Sequence, residues 1–345
     1  MRGAKPVAPP LLVADDLGPI MPWGFDSAGA LIYQPRTGPS RVVQAGFDQL
    51  TGRLTTEPQP VADGALETWG SAWSPDGRSL AYFQATGVSR PEATLHIRTI
   101  ASGEEQVRNI PGGRSFVLAW SSDGRHLAWL SLQNGSRAIS VLDIPTGTIR
   151  NWARWLSVAP NWTTLSIAWV PGNPTLLVAE DDRVYRISPL SNHPQTTIFR
   201  VPSGKILVPG LAFSNDRQSV IFAVRAGADR VDLLAVPWAG GASRALWRTD
   251  TDHFGELLAR SPNGRYLVVT AAQDRRVAAF DPTVLTVWNP TDRTQHVLST
   301  GSQFSDVSVS PSGDRIAWTG GIFIAMSQPV RVVPLSPATP ELRKH

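Results

Sequence analysis

Residues 71–82 read SAWSPDGRSLAY. Two short apolar runs flank a Ser-Pro-Asp-Gly turn, in which Ser and Asp cap the backbone with their side chains and Gly accepts a positive φ. The stretch therefore predicts a β-hairpin. The same pattern returns as LAWSSDGRHLAW (118–129), LARSPNGRYLVV (258–269) and VSVSPSGDRIAW (307–318). Weaker copies are IAWVPGNPTLLV (167–178) and LAFSNDRQSVIF (211–222), and the most degraded is PWGFDSAGALIY (22–33). The residues just before the turns are Phe25, Trp73, Trp120, Trp169, Phe213, Arg260 and Val309, spaced by 48, 47, 49, 44, 47 and 49 residues. A period near 45 with short alternating strands signals a β-propeller, each blade a four-stranded antiparallel sheet. No run of helical periodicity competes with this reading.

Each period parses into a hairpin, a third strand alternating with period two, and a short outer strand. LHIRTI (95–100) and ISVLDI (139–144) are such third strands, and ASGE (101–104) and PTGT (145–148) are the turns that follow them. The expectation is thus an all-β, single-domain, seven-bladed propeller over residues 1–345. Its blades fall near 20–63, 66–110, 114–157, 163–204, 207–249, 255–299 and 304–336. After the last third strand only the Pro-rich, charged SPATPELRKH remains, a poor outer strand. The apolar segment PLLVAD (10–15) is expected to complete the seventh blade and close the ring, removing a free sheet edge.

Composition excludes several classes. The 345 residues include 29 Gly and 29 Pro, too few for a disordered or collagen-like chain, and 42% are hydrophobic, enough for a packed core. With no Cys there is no disulfide, no thiolate metal site and no thiol nucleophile, and the compartment is left open. The 32 cations and 28 anions are scattered, without the clustered run that nucleic-acid binders carry. No stretch approaches the ~20 apolar residues of a membrane helix. The N-terminal segment is too broken by prolines for a secretory leader, so the chain reads as cytoplasmic as written, or as an exported protein whose signal was trimmed.

The SPDG-type turn, the apolar run after it and the strand–TGE–strand tail resemble the WD-repeat-like propeller repeats of the TolB family. QAGFDQLTGRLTTEPQPVADG (44–64) looks like blade tails in propellers attached to bacterial kinases and transcriptional regulators. The resemblance covers nearly all of the chain and speaks to fold far more than to function.

Function is expected where loops run from an outer strand into the next inner strand, because they converge on one rim of the central channel. The residues expected to bind there are Trp69, Arg114, Phe116, Trp162, His253, Phe254, Gln303 and Phe304. Aromatic groups with polar neighbours suit a peptide segment or a sugar; any single aromatic is better explained by packing between blades, and the rim as a whole by binding. No GxSxG, HExxH, P-loop or GxGxxG motif is present, so no catalytic residue, metal or cofactor is assigned. The expected function is a non-catalytic binding or scaffolding module, monomeric, with a protein or peptide partner and neither nucleic acid nor membrane insertion. The alternative is a carbohydrate-active or sugar-binding propeller that uses His253 and the rim carboxylates Glu67, Asp252, Glu256 and Asp306.

Overall fold

The repeated turn takes the shape its side chains dictate. The Ser74 hydroxyl donates to Asp76 Oδ1 (2.6 Å) and accepts the Ser79 N–H (2.9 Å), while the Arg78 N–H donates to Asp76 Oδ1 (3.0 Å). Gly77 closes the turn at φ +71°. The same bonds recur between Ser121 and Asp123 (2.6 Å) and between Ser261 and Asn263 (2.7 Å). At Ser214–Asp216 the left-handed place is taken by Arg217, at φ +59°. The serine hydroxyl is the leading cause that holds Asp76 and Asp216 below the usual carboxylate range.

One departure from the repeat has a clear role. Trp120 Nε1 donates to its own turn at the Gly124 carbonyl (3.2 Å), and Trp169 Nε1 reaches back to the Ala119 carbonyl of the preceding blade (2.9 Å). Arg260 occupies the corresponding position and does both. It donates to the Gly264 carbonyl (3.1 Å), and across the seam to the Phe213 carbonyl (2.8 Å) and Asn215 Oδ1 (2.7 Å). Arg260→Ala is expected to lower stability by about 1.5–3 kcal/mol, the scale of a lost charge-assisted bond. Urea denaturation checks this, and an unchanged midpoint would show that the guanidinium contributes nothing.

The computed structural model describes residues 20–25, 31–35, 40–64, 66–87, 93–110, 115–133, 136–155, 166–180, 182–188, 195–227, 230–249, 257–271, 284–300, 304–321 and 331–333. The chain separates into two units, residues 39–321 and a second made of 1–38 with 322–345. In the larger unit, blade 1 comprises Thr68–Trp73, Ser79–Ala85, Ala93–Thr99 and Glu105–Asn109. Blade 2 comprises Ser115–Trp120, His126–Gln133, Ser136–Asp143 and Ile149–Trp155. Blade 3 comprises Ser166–Trp169, Leu176–Glu180, Arg183–Ile187 and Thr196–Arg200. Blade 4 comprises Lys205–Phe213, Ser219–Ala226, Val231–Pro237 and Arg244–Thr249, and blade 5 Leu257–Arg260, Leu267–Ala271, Val284–Trp288 and Gln295–Thr300. Blade 6 joins Ser305–Val309 and Arg315–Gly321 to Ser40–Asp48, on which Arg53–Leu54 and Gln59–Pro60 pair.

The ring therefore has six blades, not the seven expected, and the difference lies in one strand. Residues 40–48 do not serve as the third strand after the 22–33 hairpin. They pair antiparallel with the last repeat, from Arg315 opposite Gly46 to Gly321 opposite Ser40. That register buries Val42, Val43, Ala45 and Phe47, apolar groups on both faces of the strand that only a position between two blades can cover. Ile20–Phe25 and Leu31–Pro35 are left to form a three-stranded sheet with Arg331–Val333 in the smaller unit. An N-terminal strand does complete the last blade, but it is 40–48; the segment 10–15 expected in that role lies outside the described residues.

Closure is visible in the packing. The inner strands neighbour one another in an unbroken circuit that returns from blade 6 to blade 1. Apolar clusters fill all six seams. Phe47 and Trp318 meet Tyr266 and Val287 between blades 6 and 5, and Val42 and Ala317 meet Leu80 and Tyr82 between blades 6 and 1. The other four seams are packed likewise. At the tip of the closing hairpin, Gln49 donates to the Ser312 carbonyl (2.8 Å) and accepts the Asn263 N–H (3.1 Å), joining the turns of blades 6 and 5.

Candidate functional site

The two ends of the ring differ. One end carries the capped turns described above. At the other, the rim end, the inner strands begin irregularly. Their pairing with the second strand shifts register between Trp69 and Ala72, Phe116 and Leu118, Val208 and Ala212, Leu257 and Ala259, and Ser305 and Ser308. Gly70, Val117, Gly210 and Asp306 lie at these bulges with positive φ, each three residues before the position held by Trp73 in its repeat. Bulges re-aim the backbone and are common beside binding and active sites. For Val117 (+49°) and Asp306 (+52°), which lack glycine's freedom, the left-handed backbone carries strain. Neighbouring blades tie these points together. The Gly210 N–H donates to Ser166 Oγ (2.7 Å), and the Gly70 N–H donates to Thr319 Oγ1 (3.0 Å).

Asp306 is the one acid on the described inner strands. It sits at the seam of blades 6 and 1, where Ser71 Oγ donates to its backbone carbonyl. The residue is partly buried. Burial pushes its carboxyl above the usual range, against the pull of donors from Ser305, Gly70 and Thr319. Among the described residues no cation contributes to the balance. The left-handed backbone and the desolvated carboxyl set this point apart from the regular blade.

Of the residues expected to bind at the rim, two have described side chains. Trp69 is partly buried, its ring 6.0 Å from Phe83, and it packs on the core between blades 1 and 2. Phe304 is 4% exposed and belongs to the core between blades 5 and 6. Phe116 lies on the inner strand of blade 2, where only its backbone is described. Arg114, Trp162, His253, Phe254 and Gln303 lie outside the described residues, as do Asp252 and Glu256.

Sequence reasoning missed a polar chain in blade 1. His96 is 7% exposed and stacks on Tyr82 (5.2 Å). Its Nε2 is 3.0 Å from Thr94 Oγ1, and its Nδ1 is 3.0 Å from Glu105 Oε2. Tyr82 and Arg98 donate to Glu105 Oε1 at 2.6 and 2.7 Å. The order hydroxyl–imidazole–carboxylate is that of an activated nucleophile, but His96 is covered by Tyr82, and these bonds hold the outer strand to the blade. The strand alternation 94, 96, 98 against Glu105 was the available signal. Among the described residues no three His, Asp or Glu side chains gather closely enough to hold a metal ion.

Solved structures similar to this chain are propellers of several kinds. An oligogalacturonate lyase from Vibrio parahaemolyticus is 13% identical, with a TM-score of 0.55 over 90% of this chain and 98% of its own. TolB from Acinetobacter baumannii is 14% identical, with a TM-score of 0.52 over 88% of this chain and 67% of its own. A gluconolactonase from Xanthomonas campestris is 18% identical, with a TM-score of 0.52 over 88% and 95%. The likeness is one of fold, and it bears out the TolB-like repeat read from the sequence. No family model matches the sequence, and no curated protein is similar to it.

Proposed function

We propose that the chain is a non-catalytic binding propeller that takes up a protein or peptide segment at its rim. The observation that carries this reading is the asymmetry of the ring. The turn end satisfies its polar groups with repeated caps, whereas at the rim end the inner strands are bulged, and one bulge carries Asp306, whose carboxyl burial pushes up. Bulges and desolvated carboxyls persist where binding uses them. The rim residues that would make contact are Trp69, Arg114, Phe116, Trp162, His253, Phe254, Gln303 and Phe304, of which Phe304 would act through packing beneath the rim. The test is partner recovery from lysate with wild type and the triple variant Trp69→Ala, Trp162→Ala, Phe254→Ala. The variant is expected to lose at least ten-fold in recovery; equal recovery refutes the reading.

A carbohydrate-active propeller is the second reading, and Asp306 is the observation in its favour. A carboxyl pushed up by burial can remain protonated and act as a general acid. Turnover of an oligosaccharide that disappears in Asp306→Asn would support it.

A further inference from the structure

At the rim end of blade 4 four strand ends meet around one carboxylate. Asp232 lies on the third strand, opposite Val224 of the second and Arg248 of the outer strand. Its side chain is 7% exposed. Arg248 Nε donates to Oδ1 at 2.7 Å, Lys205 Nζ to Oδ2 at 3.4 Å, and Arg230 Nε lies 3.7 Å from Oδ1. Burial pushes Asp232 up, but the bonds from Arg248 and Lys205 outweigh it and hold the carboxyl below the usual range.

One cation suffices to offset one buried carboxylate. Among the described residues three converge on it, two positive charges more than Asp232 offsets. Holding like charges together costs free energy unless an anion joins them. The geometry also leaves donors spare. Both arginines approach Asp232 through Nε, so the terminal Nη pairs have no partner among the described residues. The Arg248 and Arg230 side chains are 64% and 45% exposed. A guanidinium anchored at Nε presents its outer fork to a planar oxyanion, and a two-point bond to carboxylate is the strong form of that contact.

We propose that Lys205, Arg230 and Arg248, oriented by the buried Asp232, form an anion subsite of the rim that receives an Asp or Glu carboxylate of a bound protein segment. This rests on the rim-binding reading above and adds the chemistry of the occupant.

The test is fluorescence anisotropy with a labelled tetraglutamate peptide, its tetraglutamine counterpart and a trigalacturonate. The proteins are wild type, the double variant Arg230→Gln, Arg248→Gln, and a charge-matched control, Arg108→Gln, Arg150→Gln. The substituted arginines are exposed, and melting curves check that each variant folds. The expected result is tetraglutamate binding to wild type and control, at least ten-fold weaker in the double variant and for tetraglutamine, and weakened by salt. Equal binding by the double variant, no tetraglutamate binding by wild type, or preference for trigalacturonate each overturns the subsite. The aromatic triple variant reports separately on the rim. If it loses its partner while tetraglutamate fails to bind, the subsite falls and the rim reading stands; the reverse pattern retains the subsite and removes the rim reading.

Discussion

Phe47→Ala will lower the stability of the ring by about 3–5 kcal/mol, the range for deleting a fully buried aromatic side chain. Phe47 is 2% exposed and lies on the strand that joins the N-terminal side of the ring to its last blade. Its neighbours Tyr266, Val287 and Trp318 come from two different blades, so the cavity left behind opens across a seam. The packing of Tyr266 against Gly52 and its hydroxyl bond to the Leu50 carbonyl (3.2 Å) restrict collapse into that space. Equilibrium urea denaturation measures the loss. A change below about 1 kcal/mol would mean that the strand is not clamped between blades.

Glu105→Ala will have the second largest effect. It leaves the Tyr82 hydroxyl and the His96 ring without their carboxylate, and both side chains are buried. Each buried donor left unpaired costs about 1–3 kcal/mol. The same group gives the blade an acid sensitivity. Burial pushes Glu105 up, but the bonds from Tyr82, His96 and Arg98 outweigh it and hold the carboxyl below its ordinary value. A carboxylate with a depressed folded pKa contributes stability that is fully present above its unfolded value, about 4.3, and is lost as pH falls through the folded one. Melting temperature should therefore fall below that pH in wild type, and fall less in Glu105→Gln. The turn aspartates Asp76 and Asp216 add to the acid loss in both proteins, so the difference between the two curves is the informative quantity. Parallel curves would remove Glu105 as a contributor.

What the sequence made legible was local. Ser74, Asp76 and Gly77 determine their turn through bonds within five residues, so the repeat, the hairpins and the propeller class could be read directly. The blade number could not. SRVVQAGFD (40–48) reads as a strand wherever it pairs, and its choice of Arg315–Gly321, some 270 residues away in the chain, is made by burying Val42 and Phe47 in the seams on either side. The rim was legible as a place and less so as chemistry. Gly70 and Gly210 hint at bulges, but nothing adjacent to Val117 or Asp306 announces a left-handed backbone. Asp232 and its cations come from strand ends spread over residues 205–248, a grouping that appears only when the blade is assembled.

The six-bladed closure decides which residues share the rim, and the absence of cysteine makes it directly testable. Gln44 and Ala317 are opposite one another in the pairing of the closing strand with blade 6. Adjacent antiparallel strands bring such Cα atoms to about 4.5–5.5 Å, within reach of a disulfide. The double variant Gln44→Cys, Ala317→Cys is predicted to form an intramolecular disulfide under mild oxidation, seen by mass spectrometry as a peptide containing residue 44 linked to one containing 317. Two free thiols in the folded, oxidised protein would contradict the closure and return residues 40–48 to a seventh blade.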